Sequence, residues 1–296
     1  MRPRAVAVTL ALLVVAPVCT TSTARGGAPR RKAKPAVLLA AGDIADCSSD
    51  GAKLTSDLIL HRSGTVAALG DNAYPSGSPR DFADCFAPTW GRFKSRIRPA
   101  IGNHEYITAG ASGYFGYYGK AAHPPGAYYS YRLGSWHVVV INSECAYIGG
   151  CGPGSGELNW LRSDLARHPA RCTLAYWHEP RFSSGPHGPN PAMQPIWAAL
   201  AKAGADVVLS GHDHLYQRFA PLDASGRMSS KGIREFVVGT GGGSHYSAER
   251  VSLGSRKIIT NTWGVLRLVL RAGGYSWQFL SAPSGKVLDS GSSSCH

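Results

Sequence analysis

Val37-Leu38-Leu39-Ala40-Ala41-Gly42-Asp43 is an apolar run that stops at a glycine and a carboxylate. Thr65-Val66-Ala67-Ala68-Leu69-Gly70-Asp71 repeats the arrangement. Cys172 to Trp177 ends in His178, and Val207 to Ser210 ends in Gly211-His212. Short apolar runs bounded by turn formers read as buried strands. Lys53 to His61, with Leu54, Leu58 and Leu60, and Glu157 to Arg167, with Leu158, Leu161 and Leu165, have helical spacing, and Pro195 to Ala203 reads as a further helix. Tyr128 to Arg132 and Trp136 to Ile141 alternate around Leu133-Gly134-Ser135 as a hairpin would. The last third is mostly strand: Phe236 to Val238, Val265 to Arg271 and Tyr275 to Leu280. This alternation predicts an α/β fold, a two-sheet β-sandwich flanked by helices.

Asp43, Asp71, His178 and His212 thus each follow a strand. Ligands of α/β sheets gather at the carboxyl ends of strands, so residues far apart in sequence can meet there. Gly42, Gly70, Gly102 and Gly211 beside these blocks let the backbone turn sharply and approach closely. Gly102-Asn103-His104-Glu105 groups ligand and acid-base side chains, and Gly211-His212-Asp213-His214 sets two histidines on one side of an extended loop. Each block alone has a plainer reading as a turn or a core histidine. Their joint occurrence in this order is what points to a site.

The chain opens with Arg2 and Arg4, an apolar run of 14 residues from Ala5 to Val18, and the small residues Ser22-Thr23-Ala24. That layout predicts a secretory signal peptide over residues 1–24, a basic flexible segment over 25–35 and a single domain over 36–296. The run is shorter than the roughly 20 residues of a spanning helix, so no stable membrane anchor is expected. Seven of the 31 basic residues precede Pro35, which leaves 24 against 18 acidic ones and lowers the excess from +13 to +6. A modest positive field suits an anionic substrate or solubility and is a weak argument for nucleic acid, which is not expected as the main partner. Apart from Cys19, the cysteines are Cys47, Cys85, Cys145, Cys151, Cys172 and Cys295, an even number that fits an oxidising compartment. They allow 15 connectivities, among which Cys145 with Cys151 is the easiest to propose. A thiolate zinc site is the alternative, but no Cys-x-x-Cys pair exists.

The ordered blocks Gly42-Asp43, Gly70-Asp71-Asn72-Ala73-Tyr74, Gly102-Asn103-His104-Glu105, a strand-end His178 and Gly211-His212-Asp213-His214 resemble the purple acid phosphatase branch of the calcineurin-like metallophosphoesterases. Many members of the wider superfamily carry a histidine two residues after the first aspartate. Here that position is Ala45, and Tyr74 stands three after the second aspartate, as in the purple branch. The resemblance implies a single-domain, four-layer αββα fold without the extra N-terminal β-domain of plant relatives. It implies Fe3+ at Asp43, Asp71, Tyr74 and His214, and a divalent ion (Zn2+, Mn2+ or Fe2+) at Asp71, Asn103, His178 and His212. Hard carboxylate and phenolate oxygens suit the trivalent ion, imidazole and amide the divalent one.

The expected activity is hydrolysis of a small phosphate monoester by in-line attack of metal-activated hydroxide, with His104 as the general acid. Asn103, His104, His187 and Arg181 are the expected substrate-binding residues. His187 could orient phosphate or be an exposed loop histidine, and Arg181 could clamp phosphate or be an ion-paired surface arginine. Glu105 could orient His104 or cap the next segment, while Asp46 and Asp213 receive no role. Two alternatives stay open: a phosphodiesterase, including for cyclic nucleotides, on the same site, and a secreted binding protein that keeps the metals without turnover. Substrate, second metal and oligomeric state are not legible.

Overall fold

The computed structural model describes residues 1, 3–7, 9–11 and 34–296. The expected signal peptide and basic segment therefore lie largely outside the described residues. No helix among the described residues is long and apolar enough to cross a membrane. The chain divides into two units, Met1–Lys32 and Ala33–His296, and everything below concerns the second.

In chain order its strands are β1 (Ala36–Ala41), β2 (Thr65–Leu69), β3 (Ile97–Ala100), β4 (Tyr129–Leu133), β5 (Trp136–Val140) and β6 (Thr173–Tyr176). There follow β7 (Val207–Ser210), β8 (Tyr216–Leu222), β9 (Ile233–Val238), β10 (Ser255–Ile259), β11 (Gly264–Arg271), β12 (Gly274–Ser281) and β13 (Val287–Ser294). The helices used here are α1 (Gly51–Leu60), α2 (Asn103–Ile107), α3 (Ser112–Tyr118), α4 (Gly156–Arg167) and α5 (Gln194–Lys202). One sheet has the order β13-β12-β11-β1-β2-β3 and the other β10-β8-β9-β7-β6-β5-β4. Strands β1, β2 and β3 run parallel, and so do β5, β6, β7 and β9, with antiparallel strands completing each sheet.

The expected two-sheet sandwich with helical layers is what the chain forms. Alternation along β5 explains it. Val138 and Val140 join the core between the sheets, which also holds Leu38, Val66, Leu268 and Phe279. Val139 and Ile141 join a second core with Leu158 and Leu161 of α4 and Ile196 and Trp197 of α5. A strand covered on both faces has no solvent side, so its sequence reads as one apolar run.

Four further strands have no signal in the sequence pattern. Strand β3 contains Pro99 and occupies a sheet edge, where a missing N–H costs no ladder bond. Strands β8, with Pro221, and β10 were likewise unexpected from sequence. Strand β13, Val-Leu-Asp-Ser-Gly-Ser-Ser-Ser, is a polar edge strand whose register against β12 comes from pairing rather than from an apolar face.

Glu157 fastens α4 to the sheet. Its Oε1 accepts from the Asn142 N–H at 2.7 Å, just beyond β5, while its buried Oε2 finds no partner among the described residues. Burial pushes this carboxyl up to about 8. A raised folded-state value means the native state holds a proton that the unfolded chain has released. Stability from this group is thus complete below the ordinary 4.5 and is lost as pH rises through about 8. Replacing it, Glu157→Gln, is expected to flatten the fall in unfolding free energy between pH 5 and roughly 9, by an amount on the order of a few kcal/mol. Parallel wild-type and variant slopes would show that the carboxyl is not protonated in the fold.

Candidate metal centre

Five of the seven expected ligands stand where a parallel strand gives out. Asp43 follows β1, Asp71 follows β2, Asn103 follows β3, His178 follows β6 and His212 follows β7. The backbone is bent hard at these points. Asp43, Asp71 and His212 have φ of 59°, 46° and 69°, a left-handed conformation that non-glycine residues seldom take and that concentrates at functional sites. Gly102 shows why small neighbours are needed: a Cβ there would overlap Asp71 Oδ1 and the Asp71 backbone.

The donor atoms converge. Tyr74 Oη lies 3.1 Å from Asp43 Oδ1, 3.0 Å from Asp71 Oδ2 and 3.1 Å from His214 Nε2. His178 Nε2 lies 3.0 Å from Asn103 Oδ1, 3.3 Å from Asp71 Oδ2 and 3.3 Å from His212 Nδ1. Ligand atoms of Asp43, Asp71 and His178 all fall within 4.8 Å of one another. All seven expected ligands therefore meet, in two groups that share Asp71.

Outer partners fix the rings. The His178 Nδ1–H donates to the Leu69 carbonyl at 2.9 Å, and the His214 Nδ1–H to the Ser244 carbonyl at 2.7 Å. Each Nε2 is thereby turned toward a carboxylate, His178 toward Asp71 Oδ2 and His214 toward Asp43 Oδ1, both at 3.3 Å, within a gathering of donor atoms. Such a gathering is repulsive unless positive charge lies among it, so the donor set fits a cation. The charges say the same. Burial works against it, yet Asp71 and Asp43 hold the His178 imidazole well above its ordinary value. Burial, then Asp43 and Asp71, drive the Tyr74 phenol well above 10, so only a strongly acidic cation would bind it as tyrosinate. Burial, with His178 and His187 nearby, pushes His212 down to about 3, which keeps it a neutral donor.

His104 is beside the ligands. Its N–H donates to Asp71 Oδ1 at 2.9 Å, its Nδ1–H to the Pro75 carbonyl at 2.6 Å, and its Nε2 stands 3.8 Å from Asp71 Oδ2. Glu105 resolves as a cap. Fully buried, it accepts from the Gly102 and Asn72 N–H groups at 2.8 and 2.7 Å and so ties α2 to the Asn72 loop. Arg181 is used elsewhere. Its Nε donates to Gln194 Oε1 at 2.8 Å and its guanidinium covers the Phe182 ring at 4.4 Å, with no hydrogen bond to the cluster among the described residues.

His187 does reach the rim, its ring centroid 4.2 Å from that of His212. Its Nδ1 and backbone N–H approach Asp213 Oδ1 at 3.0 and 3.1 Å. Asp213, given no role from sequence, is thus the buried carboxylate that positions His187, with Ser183 Oγ on its other oxygen. Tyr246 was missed altogether. It stacks on His214 with centroids 4.0 Å apart, and no motif announces it. The six cysteines are paired as Cys47–Cys85, Cys145–Cys151 and Cys172–Cys295, which bears out the one proposed pair and removes the thiolate zinc alternative.

Residues 22–216 match the family model described as calcineurin-like phosphoesterase. Among curated proteins, purple acid phosphatase 15 of Arabidopsis thaliana is 26% identical over 201 residues, which is 55% of this chain and 37% of the relative. Purple acid phosphatase 21 of the same plant is 26% identical over 214 residues, 64% of this chain and 46% of the relative. The matched regions span less than half the length of these relatives. Among solved structures, purple acid phosphatase PPD1 of yellow lupin (Lupinus luteus) superposes with a TM-score of 0.73 at 20% identity, covering 89% of this chain and 54% of its own. GAP50, described as the anchor in the inner membrane complex of Plasmodium, does so with 0.70 at 13% identity, covering 89% and 90%. Likeness at these identities is likeness of fold.

Proposed function

The chain belongs to the calcineurin-like phosphoesterase family, and from that premise we propose that it is an exported phosphatase acting on small phosphate monoesters at the cluster around Asp71. The observation that carries the reading is His178 Nε2, which meets Asn103, Asp71 and His212 donor atoms at 3.0 to 3.3 Å, a buried gathering that calls for positive charge. Asp43, Asp71, Tyr74 and His214 would hold a ferric ion; Asp71, Asn103, His178 and His212 would hold a divalent one, zinc, manganese or ferrous iron. Bound, the pair supplies charge that acidifies water and offsets that of the phosphate oxygens.

The protein's own part is orientation and proton traffic. Donation from Nδ1 to the Pro75 carbonyl sets the His104 tautomer and turns Nε2 toward the site. A proton on Nε2 can pass to the departing alkoxide, and the side chain is 31% exposed, so a bulky alcohol can stay in solvent. His187, which hydrogen-bonds Asp213 and lies beside the His212 ring, would donate to a phosphate oxygen. The three disulfides support export, since thiols stay reduced in the cytosol.

Side-by-side rates on a monoester and a diester panel test the substrate class. Higher kcat/KM on monoesters is expected, and a large diester preference would replace this reading with a phosphodiesterase. His104→Ala is expected to slow hydrolysis of alkyl monoesters by about 10²-fold and that of nitrophenyl esters much less, because a good leaving group needs no proton. Equal losses on both would remove the general-acid role. Tyr74→Phe is expected to abolish the visible tyrosinate-to-iron charge-transfer band of the iron-loaded protein. Colourless, iron-free wild type with full activity would mean a pair of divalent ions instead.

A further inference from the structure

At the amino ends of β5 and β6, away from the carboxyl ends that carry the Asp71 cluster, three more ligand-type side chains meet. His137 comes from β5. Asp164 stands near the end of α4, and His168, four residues on, terminates that helix, so both project from one face. His137 and Asp164 are 2% and 3% exposed, whereas the His168 side chain is 47% exposed.

Asp164 Oδ1 is well served, with Ser130 Oγ and His168 Nδ1 each at 2.9 Å. Its Oδ2 is not. It lies 3.0 Å from His137 Nε2, yet the ring N–H direction misses it, and Oδ2 and both His137 nitrogens are left buried without a hydrogen-bond partner. Leaving a buried polar atom unpaired costs roughly 1–3 kcal/mol, and most native structures avoid it. Of these atoms, His137 Nε2 and Asp164 Oδ2 face each other at 3.0 Å without hydrogen-bond geometry, as two ligand atoms of one ion would. One ligand atom from each of His137, Asp164 and His168 lies within 4.8 Å of the others. A cavity of about 880 Å³ opens on this spot, with Arg162, Leu165, Ala199 and Lys202 on its walls.

We infer that His137, Asp164 and His168 form a second metal site, for one divalent cation of the zinc class, separate from the centre around Asp71. Two imidazoles and one carboxylate are a donor set that zinc takes and that calcium and magnesium, which ask for oxygen, do not. Three protein ligands leave a fourth position, and here it faces the cavity. With Arg162 and Lys202 on the walls, that position suits water or a small anion. The ion would clamp the end of α4 to β5, so its signature is stability rather than turnover.

Counting zinc on the full chain tests this without relying on catalysis. Chelator-stripped wild type and His168→Ala are reloaded with zinc chloride alone, desalted and analysed for metal, and the pair is repeated in an Asp71→Asn background. His168 is half exposed, so its truncation leaves the packing intact. One equivalent more zinc in each parent than in its His168→Ala partner is expected. So is a zinc-dependent rise in melting temperature that the His168→Ala proteins show to a smaller extent, with monoester hydrolysis by the single variant unchanged. Equal zinc content within both pairs would overturn the site and leave a metal-free His-Asp-His contact. A loss of hydrolysis in His168→Ala would overturn its separateness.

Discussion

An Asp71→Asn variant is expected to fold normally and to hydrolyse phosphate monoesters at least about 10³-fold more slowly than wild type. Folding should survive because asparagine keeps the shape of the side chain and tolerates the left-handed φ of 46° better than most residues. It can still accept the His104 N–H at the position of Oδ1. What it cannot supply is charge. Asp71 Oδ2 sits between Tyr74 Oη at 3.0 Å and His178 Nε2 at 3.3 Å, where the two ligand groups join, and an amide there donates where a cation is wanted. The charge supplied by bound metal is worth several kcal/mol at the transition state. About 4 kcal/mol corresponds to three decades in rate. Metal content should fall in parallel. Hydrolysis at the wild-type rate would mean that the cluster binds without catalysing, and the reading as a secreted binding protein would return.

The same residue shows why the metal cluster could be read from sequence and its rim could not. A ligand at the end of a buried parallel strand is announced by the strand itself: Leu69 is apolar because both faces of β2 are covered, and the chain must turn at Gly70. Asp43, His178 and His212 follow the same logic. The rim is assembled differently. Asp213 lies between two ligands and reads as a spare carboxylate until the loop carrying His187 folds over it. Tyr246 reaches His214 from a loop beyond β9, and nothing local to Ser244-His245-Tyr246 distinguishes it from a surface turn. Arg181 misled for the opposite reason. Its nearness to His178 in sequence suggested a phosphate clamp, but Glu235 holds its backbone N–H at 3.0 Å and Gln194 accepts from its guanidinium at 2.8 Å. The His137 group was invisible in the same way, since its pairing with Asp164 depends on how α4 lies across β5.

Strand β13 escaped the reading too, and the largest expected loss of stability lies beside it. Its alternating serines give no continuous apolar face, so ladder hydrogen bonds, the hold of Tyr216, Arg218 and Trp277 on Asp289, and one crosslink secure the end of the chain. That crosslink, Cys172–Cys295, joins the residue before β6 in one sheet to the residue after β13 in the other, with a sequence separation of 123. If a disulfide acts chiefly by limiting the unfolded chain, closing such a loop contributes about 5 kcal/mol, against about 2.4 kcal/mol for Cys145–Cys151. The latter pair is separated by 6 residues. The double variant Cys172→Ala with Cys295→Ala is therefore expected to lose roughly twice the stability of Cys145→Ala with Cys151→Ala in urea titrations. For a domain of this size that is a drop of roughly 10–15 °C in melting temperature. Both cysteines of the longer link are buried, so its removal also leaves β13 free to peel from β12. Faster amide exchange confined to β13 at first, then spreading with denaturant, should accompany the loss. Equal losses from the two double variants would show that native-state contacts, and not loop entropy, decide what each bridge contributes.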